Sequence, residues 1–252
     1  MTSVQKLSAK VATFAAVLAV SALSSNVAHA ASVANGGFEA GLTGWAVVDQ
    51  PSSSGSWFST GGGGSPQSGF SIPAPSEGSS YAVTDQFGPG SHVLFQDVLL
   101  EAGSKHTLKF NWFAQDTTNS GPIDAGTMTA FGGANQHFRV DLVAATFTDW
   151  FGASSSNAGV LANLLAPTAQ GSTVSGFNTT TFDLTPWAGS TVRLAFREVD
   201  NQGFFQAGVD GVAVNSSATA VPTPALLPGL IGMGIAALRK RKNEGVEQPS
   251  EA

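Results

Sequence analysis

The run Lys105-His-Thr-Leu-Lys-Phe-Asn-Trp-Phe-Ala114 alternates with a period of two. His106, Leu108, Phe110 and Trp112 fall on one side, and Lys105, Thr107, Lys109 and Asn111 fall on the other. Successive side chains of a strand point to opposite faces, so the pattern predicts a β-strand with one buried and one wet face. The same period recurs on either side. Upstream, Tyr81, Val83 and Asp85 share a face, a Gly88-Pro-Gly90 turn follows, and Val93, Phe95, Asp97 and Leu99 share a face of the next strand. Downstream, Phe138, Val140 and Leu142 lie opposite Arg139 and Asp141. Residues 177–184 form another strand, and Val192, Leu194 and Phe196 point inward with Arg193 and Arg197 outward. A last strand covers residues 208–214, and shorter ones are expected at Trp45 and at Trp57-Phe58. Residues 115–133 are a polar excursion, and a second opens at Phe147, within which residues 160–165 predict a short helix. Many short strands punctuated by glycine and proline, with almost no helical period, predict an all-β fold, an antiparallel β-sandwich spanning residues 31–214.

Both ends differ from this middle. Residues 1–30 carry Lys6 and Lys10, an apolar stretch over 11–23, and Ala28-His29-Ala30. That is the layout of a secretory signal helix cut by signal peptidase after Ala30. At the other end, a small-residue linker over 215–221 leads into Pro222, Thr223, Pro224 and Ala225. An apolar segment follows over 226–238, then four cations, Arg239, Lys240, Arg241 and Lys242, then a polar tail over 243–252. Cations hold their own side in the cytoplasm, so the preceding domain lies across the inner membrane. The apolar segment is barely long enough for the roughly 17–25 residues of a spanning helix. Pro228, Gly229, Gly232 and Gly234 weaken it as a lasting one. A hydrophobic helix that anchors transiently and is then removed fits better than a permanent anchor.

Composition narrows the function classes. The 252 residues include no cysteine, which excludes disulfides, thiol nucleophiles and thiolate metal sites. Between the two terminal segments the only cations are Lys105, Lys109, Arg139, Arg193 and Arg197, set against fourteen carboxylates, so this region is near −9. With no basic stripe, nucleic acid is not an expected partner.

The tail resembles the PEP-CTERM group of bacterial sorting signals, in the variant that begins Pro-Thr-Pro-Ala, although residues 243–252 make a longer extension than that group usually carries. The resemblance implies cleavage by an exosortase-type membrane protease and delivery to the cell envelope or exterior. Within the domain, Asn35-Gly-Gly-Phe-Glu39 with Gly44-Trp45, and Gly208-Val-Asp210-Gly-Val212, resemble the first and last strands of galactose-binding-like jelly rolls, among them carbohydrate-binding modules. Thr84-Asp85-Gln86, Gly90-Ser-His-Val-Leu94, Arg139-Val-Asp141 and Glu198-Val-Asp-Asn201 resemble exported proteins with the same tail. The resemblance implies a jelly roll and a structural Ca²⁺ held by Glu39 and Asp210, an oxygen-only set suited to that ion. The final Asp-Asn pair usual in such modules is Asp210-Gly211 here. Asp210 shares parity with Val212 and Val214, so it is expected to face the core, where a carboxylate must be paired. Backbone amides or an arginine would serve that need as well as the ion.

Flat aromatic rings stack on sugars, and the loop aromatics Trp57, Phe58, Trp150, Phe151, Phe204 and Phe205 are the candidates for that role. Trp45, Trp112 and Trp187, where strands meet turns, read as core. Glu198, Asp200, Asn201 and Asp85 form a polar group that could take a ligand, or cap turns and pair with Arg139 or Arg197. His92, His106 and His137 lack metal-ligand spacing, and no hydrolase or phosphate-loop motif appears. The expected function is an exported, non-enzymatic surface or matrix protein that binds extracellular polysaccharide. The alternatives are a glycan-active hydrolase with two carboxylates in a cleft, or a coat protein with no ligand. The signal reading predicts that the exported protein begins at Ala31. N-terminal sequencing of the secreted form checks this, and an intact Met1 would overturn it.

Overall fold

A computed structural model describes residues 32–152 and 159–219. The signal helix, the linker end, the proline motif, the hydrophobic helix, the basic cluster and the polar tail named above lie outside the described residues. No helix among the described residues is long and apolar enough to cross a membrane.

Two five-stranded antiparallel sheets carry the fold. Their strands are β1 (Ala46–Asp49), β2 (Ser56–Thr60), β5 (Tyr81–Asp85), β6 (Gly90–Leu99), β7 (Ser104–Asp116), β8 (Gln136–Ala144), β9 (Val160–Thr168), β10 (Asn178–Asp183), β11 (Thr191–Asp200) and β12 (Phe205–Ala218). A two-stranded flap, β3 (Gly63–Gly64) with β4 (Ser71–Ile72), lies between β2 and β5. One sheet runs β1-β6-β11-β8-β9 and the other β10-β7-β12-β5-β2. The expected all-β sandwich is the fold observed.

The period-two reading of β7 holds: Leu108 and Phe110 are buried in the main core. The same core holds Ala207, Val209, Val212 and Val214 of β12, Leu94 and Val98 of β6, Phe138, Val140 and Leu142 of β8, and Val192, Leu194 and Phe196 of β11. Full burial of each such side chain stabilises by about 1.5–3 kcal/mol. Trp45 is buried in this core, whereas Trp112 and Trp187 are partly exposed at its margin. His106 Nδ1 lies 2.8 Å from Ser216 Oγ and Nε2 lies 2.8 Å from the Glu101 carbonyl, which makes it a hydrogen-bonded core histidine.

Two expectations are corrected. Residues 160–165 are not helical but belong to β9, which pairs with β8 through several register shifts. The exposed edge of β8 needs backbone partners. Asn163 Nδ2 reinforces the pairing at 2.9 Å from Asp141 Oδ1, and Pro167 is tolerated because the strand is an edge. The second correction concerns Asp210. A bulge between Asp210 and Ala213, with Gly211 at φ 57°, resets the alternation of β12. Val209, Val212 and Val214 face the core, while Asp210 pairs with Asn111 on the outer face.

Both outer faces are themselves covered. Ile72, Tyr81, Val83 and Phe113 form a small cluster over the second sheet. Val93, Val143, Phe147, Trp150 and Ala195 form one over the first. β12 spans the sandwich from pole to pole: Phe205 sits opposite Asp116 at one end and Ala218 opposite Ser104 at the other, where the Thr219 amide donates to the Gly103 carbonyl at 3.1 Å.

The bulge generates a test. A Cβ on Gly211 would stand 2.8 Å from Asn111 Nδ2 in a left-handed backbone conformation. Gly63, also left-handed, has nothing within 4 Å. Gly211→Ala is expected to cost more than Gly63→Ala, whose penalty is the conformational one of roughly 1–3 kcal/mol. Denaturant midpoints measure the difference, and equal costs would mean that the Asn111 contact is immaterial.

Candidate functional site

At the pole where β5 and β11 end and β6 and β12 begin, two turns enclose a cavity of about 200 Å³. Its walls are Gln86, Phe87, Gly88 and Pro89 from one turn and Asn201, Gly203 and Phe204 from the other, with Asp200 at the end of β11. Phe87 is 68% exposed at the rim. Phe204 packs on Phe70 with ring centroids 4.8 Å apart. The turns are held from below. Gln86 Nε2 donates to the Phe205 carbonyl at 2.9 Å, and the Gly90 amide donates to Asp200 Oδ1 at 3.2 Å. Asn201 Nδ2 donates to the Ala130 carbonyl at 2.9 Å, which ties the rim to the 127–135 excursion.

Behind the cavity the sandwich interior turns polar. Glu198 lies opposite His92 on β6 and Phe138 on β8, on the same inward face as Asp200. Trp57, opposite Thr84 on β5, reaches Phe138 with ring centroids 6.5 Å apart. Among these inward groups, Trp57 Nε1, Gln86 Oε1, His92 Nε2 and both Glu198 carboxyl oxygens are buried without a hydrogen-bond partner. Such atoms are rare in folded proteins, because each leaves a desolvation cost uncompensated. Burial, reinforced by the charges of Asp200 and Asp49, pushes Glu198 well above the usual carboxylate range. Burial likewise raises Asp200 to about 8, opposed by the Gln86 side chain and the Gly90 amide. Asp200 is therefore largely protonated at neutral pH and can donate as well as accept.

The other carboxylates do different work. Asp85 accepts from the Ser68 amide at 2.8 Å and the Ser68 hydroxyl at 2.6 Å. Burial raises it, yet these bonds and the Gln67 amide together hold it below its ordinary value. Asp210 Oδ2 accepts from the Ser76 amide and hydroxyl, both at 2.8 Å, and from the Glu77 amide at 3.0 Å. Glu39 accepts from the Ser79 amide at 2.8 Å, the Ser79 hydroxyl at 2.6 Å and the Ser80 amide at 3.1 Å. Both carboxylates are thus hydrogen-bonded to the 76–80 loop. No group of three or more His, Cys, Asp or Glu among the described residues gathers as a metal site.

The sequence candidates separate cleanly. Phe204 lines the cavity. Phe205 is fully buried, Trp57 is 3% exposed in the core, and Trp150 is 6% exposed where it stacks on Phe95 at 5.0 Å. Trp57 of β2 and Phe205 of β12 pack in the main core, and Trp150 packs in the cluster over the first sheet. Phe58 and Phe151 are half-buried against the outer clusters. Glu198 and Asp200 do not pair with arginine. Arg139 and Arg197 lie one step out of parity, on the opposite face, where both contact Asp141, at 2.9 Å and 2.8 Å. Phe87 and the Gln86 side chain are site residues that side-chain parity does not reveal. Their signal is an aromatic placed directly before a Gly88-Pro-Gly90 turn, where a packed role is hard to satisfy.

No family profile and no characterised protein matches the sequence. Among solved structures, the chain is similar to TmCBM61 in complex with β-1,4-galactotriose (12% identity over 73% of this chain and 97% of that one, TM-score 0.45). It is also similar to a cleaved adhesin domain of Lys-gingipain from Porphyromonas gingivalis (20% identity, 73% and 99%, TM-score 0.46). A third is a Stig cyclase from Fischerella sp. TAU (19% identity, 76% and 100%, TM-score 0.43). Likenesses this distant transfer no residue role.

The pH response follows from Asp200. Its folded-state value exceeds the unfolded value of about 3.9, so the stability it contributes is complete below pH ~4 and is lost as pH rises towards 8. Asp200→Asn keeps an acceptor for the Gly90 amide and is expected to flatten that decline. Thermal melts across pH 4 to 9 measure it, and parallel curves for both proteins would refute the protonated Asp200.

Proposed function

We propose that this chain is an exported, non-catalytic β-sandwich that binds polysaccharide through the cavity at the Asp200 pole. The observation that carries the reading is the cavity itself, with an exposed phenylalanine at the rim and a hydrogen-bonding carboxylic acid at the floor. Aromatic faces meet sugar C–H surfaces, and a few placed polar groups orient the hydroxyls. Its volume of about 200 Å³ is below the roughly 300–1,000 Å³ of larger ligand sites. That suits one ring, the end of a chain rather than its middle. Export rests on the terminal segments, read as a signal peptide and as a cleaved sorting tail that would pass through signal peptidase and an exosortase-type protease. The destination would be the cell surface or extracellular matrix.

A hydrolase reading draws on Glu198 and Asp200 sharing one strand face. Glycosidases set their two carboxyls on either side of the scissile bond. Here both stand on one strand, and Glu198 is fully buried behind the cavity. Binding is therefore favoured over turnover.

A glycan array with the full-length protein tests the proposal, with product analysis for turnover and a parallel run in chelator to report on Ca²⁺ at Glu39 and Asp210. Phe87→Ala removes an exposed ring and is expected to weaken binding about tenfold, near the 1.4 kcal/mol of one decade, with little change in melting temperature. Released sugar would favour the hydrolase. Silence on every glycan would favour the coat protein.

A further inference from the structure

We propose that the unit taken by this cavity is an amino sugar with a free, protonated amine, its ammonium at Asp200 and its ring against Phe87 and Phe204. The proposal rests on the polysaccharide reading and specifies the sugar. The polar atoms at this pole are unbalanced in kind. Gln86 lines the cavity, is 1% exposed, and leaves Oε1 without a donor. Both Glu198 oxygens are unpartnered in close geometry as well, and the protonated carboxyl leaves one of them an acceptor. Against these acceptors, Trp57 Nε1 is the one unpartnered atom among the described residues of this pole that is always a donor.

The ionisable groups are unbalanced in the same direction, with carboxyls outnumbering groups that can be positive. Glu198 and Asp200 come from β11, Asp49 from β1 and Asp116 from β7, while Asp85 at the end of β5 is turned outward to its Ser68 clasp. The group here that can become positive is His92 of β6, and its Nδ1 is engaged by Asp49 at 2.7 Å. Arg139 and Arg197 are separated from this end by the thickness of the sheet and face Asp141. A primary ammonium brings three donors and one positive charge, which is what the site lacks. A uronate or sulfated sugar brings more acceptors and a like charge, and is repelled.

Protons must balance on binding. An ammonium ligand binds the ionised form of Asp200, so a carboxyl proton leaves to solvent at neutral pH. Affinity therefore rises as pH approaches 8, the region where Asp200 ionises unaided, and falls again once the ligand amine loses its own proton.

Isothermal titration of the full-length protein tests this with four β-1,4-linked disaccharides: glucosamine, N-acetylglucosamine, glucose, and N,N,N-trimethylglucosamine. The free amine is expected to bind at least tenfold tighter than the acetylated and neutral sugars, and to release a proton seen as a difference between two buffers of unlike ionisation enthalpy. The trimethylated sugar keeps the charge but has no N–H donors, and is expected to lose most of the gain. Asp200→Asn should erase the preference, and the wild-type pH profile probes the same carboxyl without a variant. Equal affinity for the glucose and glucosamine sugars would overturn the amine assignment while leaving polysaccharide binding intact. Methylammonium binding with no sugar bound would overturn the polysaccharide reading.

Discussion

A chain without cysteine must hold its covering loops by other means, and here the carboxylate clasp does so. Asp85 grips residues 67–68, Asp210 grips 76–77, Glu39 grips 79–80, and Asp116 grips the Thr118 amide and hydroxyl at 3.0 and 2.9 Å. Each is a short-range bond between a buried or anchored carboxylate and backbone N–H groups. At the buried Asp85, Asp116 and Asp210, hydrogen bonds to charged groups contribute about 1.5–3 kcal/mol apiece. The clasps let loops lie flat on the outer sheet faces, so apolar residues on those faces become clusters rather than exposed patches. Without them, Tyr81, Val83 and Phe113 would face water.

Against that background, Glu198 and Asp200 are the exceptions. The same residue type that elsewhere is satisfied by several donors is left at one pole with few. The Gly90 amide and the Gln86 side chain meet Asp200, and Glu198 has only the Gln86 side chain nearby, outside close hydrogen-bond geometry. A folded protein retains such a cost where the strained groups do something in exchange, and at this pole they stand beside an open cavity. The contrast within one molecule is more telling than the shift of either group alone.

The fold was legible because alternation is local. β5, β6, β7, β8 and β11 could be placed from side-chain parity, which depends only on the backbone period. Parity failed where an extra residue enters: the Gly211 bulge inverted the expected face of Asp210, and the glycine within Gly-Val-Asp-Gly-Val was its only local signal. It failed again for β9, whose Leu- and Ala-rich segment has no strand alternation and is extended because β8 offers an unpaired edge. The site was half legible. The acidic pair in Glu198-Val-Asp-Asn201 was visible, and parity separates it from Arg197. Which loop aromatics point outward was not, since burial of Trp150 and Phe205 comes from segments far away in sequence. Phe87 shows the reverse case, an exposed ring whose neighbours are all turn residues.

The course of β12 has a spatial consequence. It starts beside the cavity and finishes at the Gly103 turn, fourteen residues along, which at about 3.3 Å per residue is on the order of 45 Å. Thr219 therefore lies at the antipode of the opening. Held by that trailing end, the sandwich would stand with its mouth directed away from its support, as a lantern hangs with its light farthest from the hook.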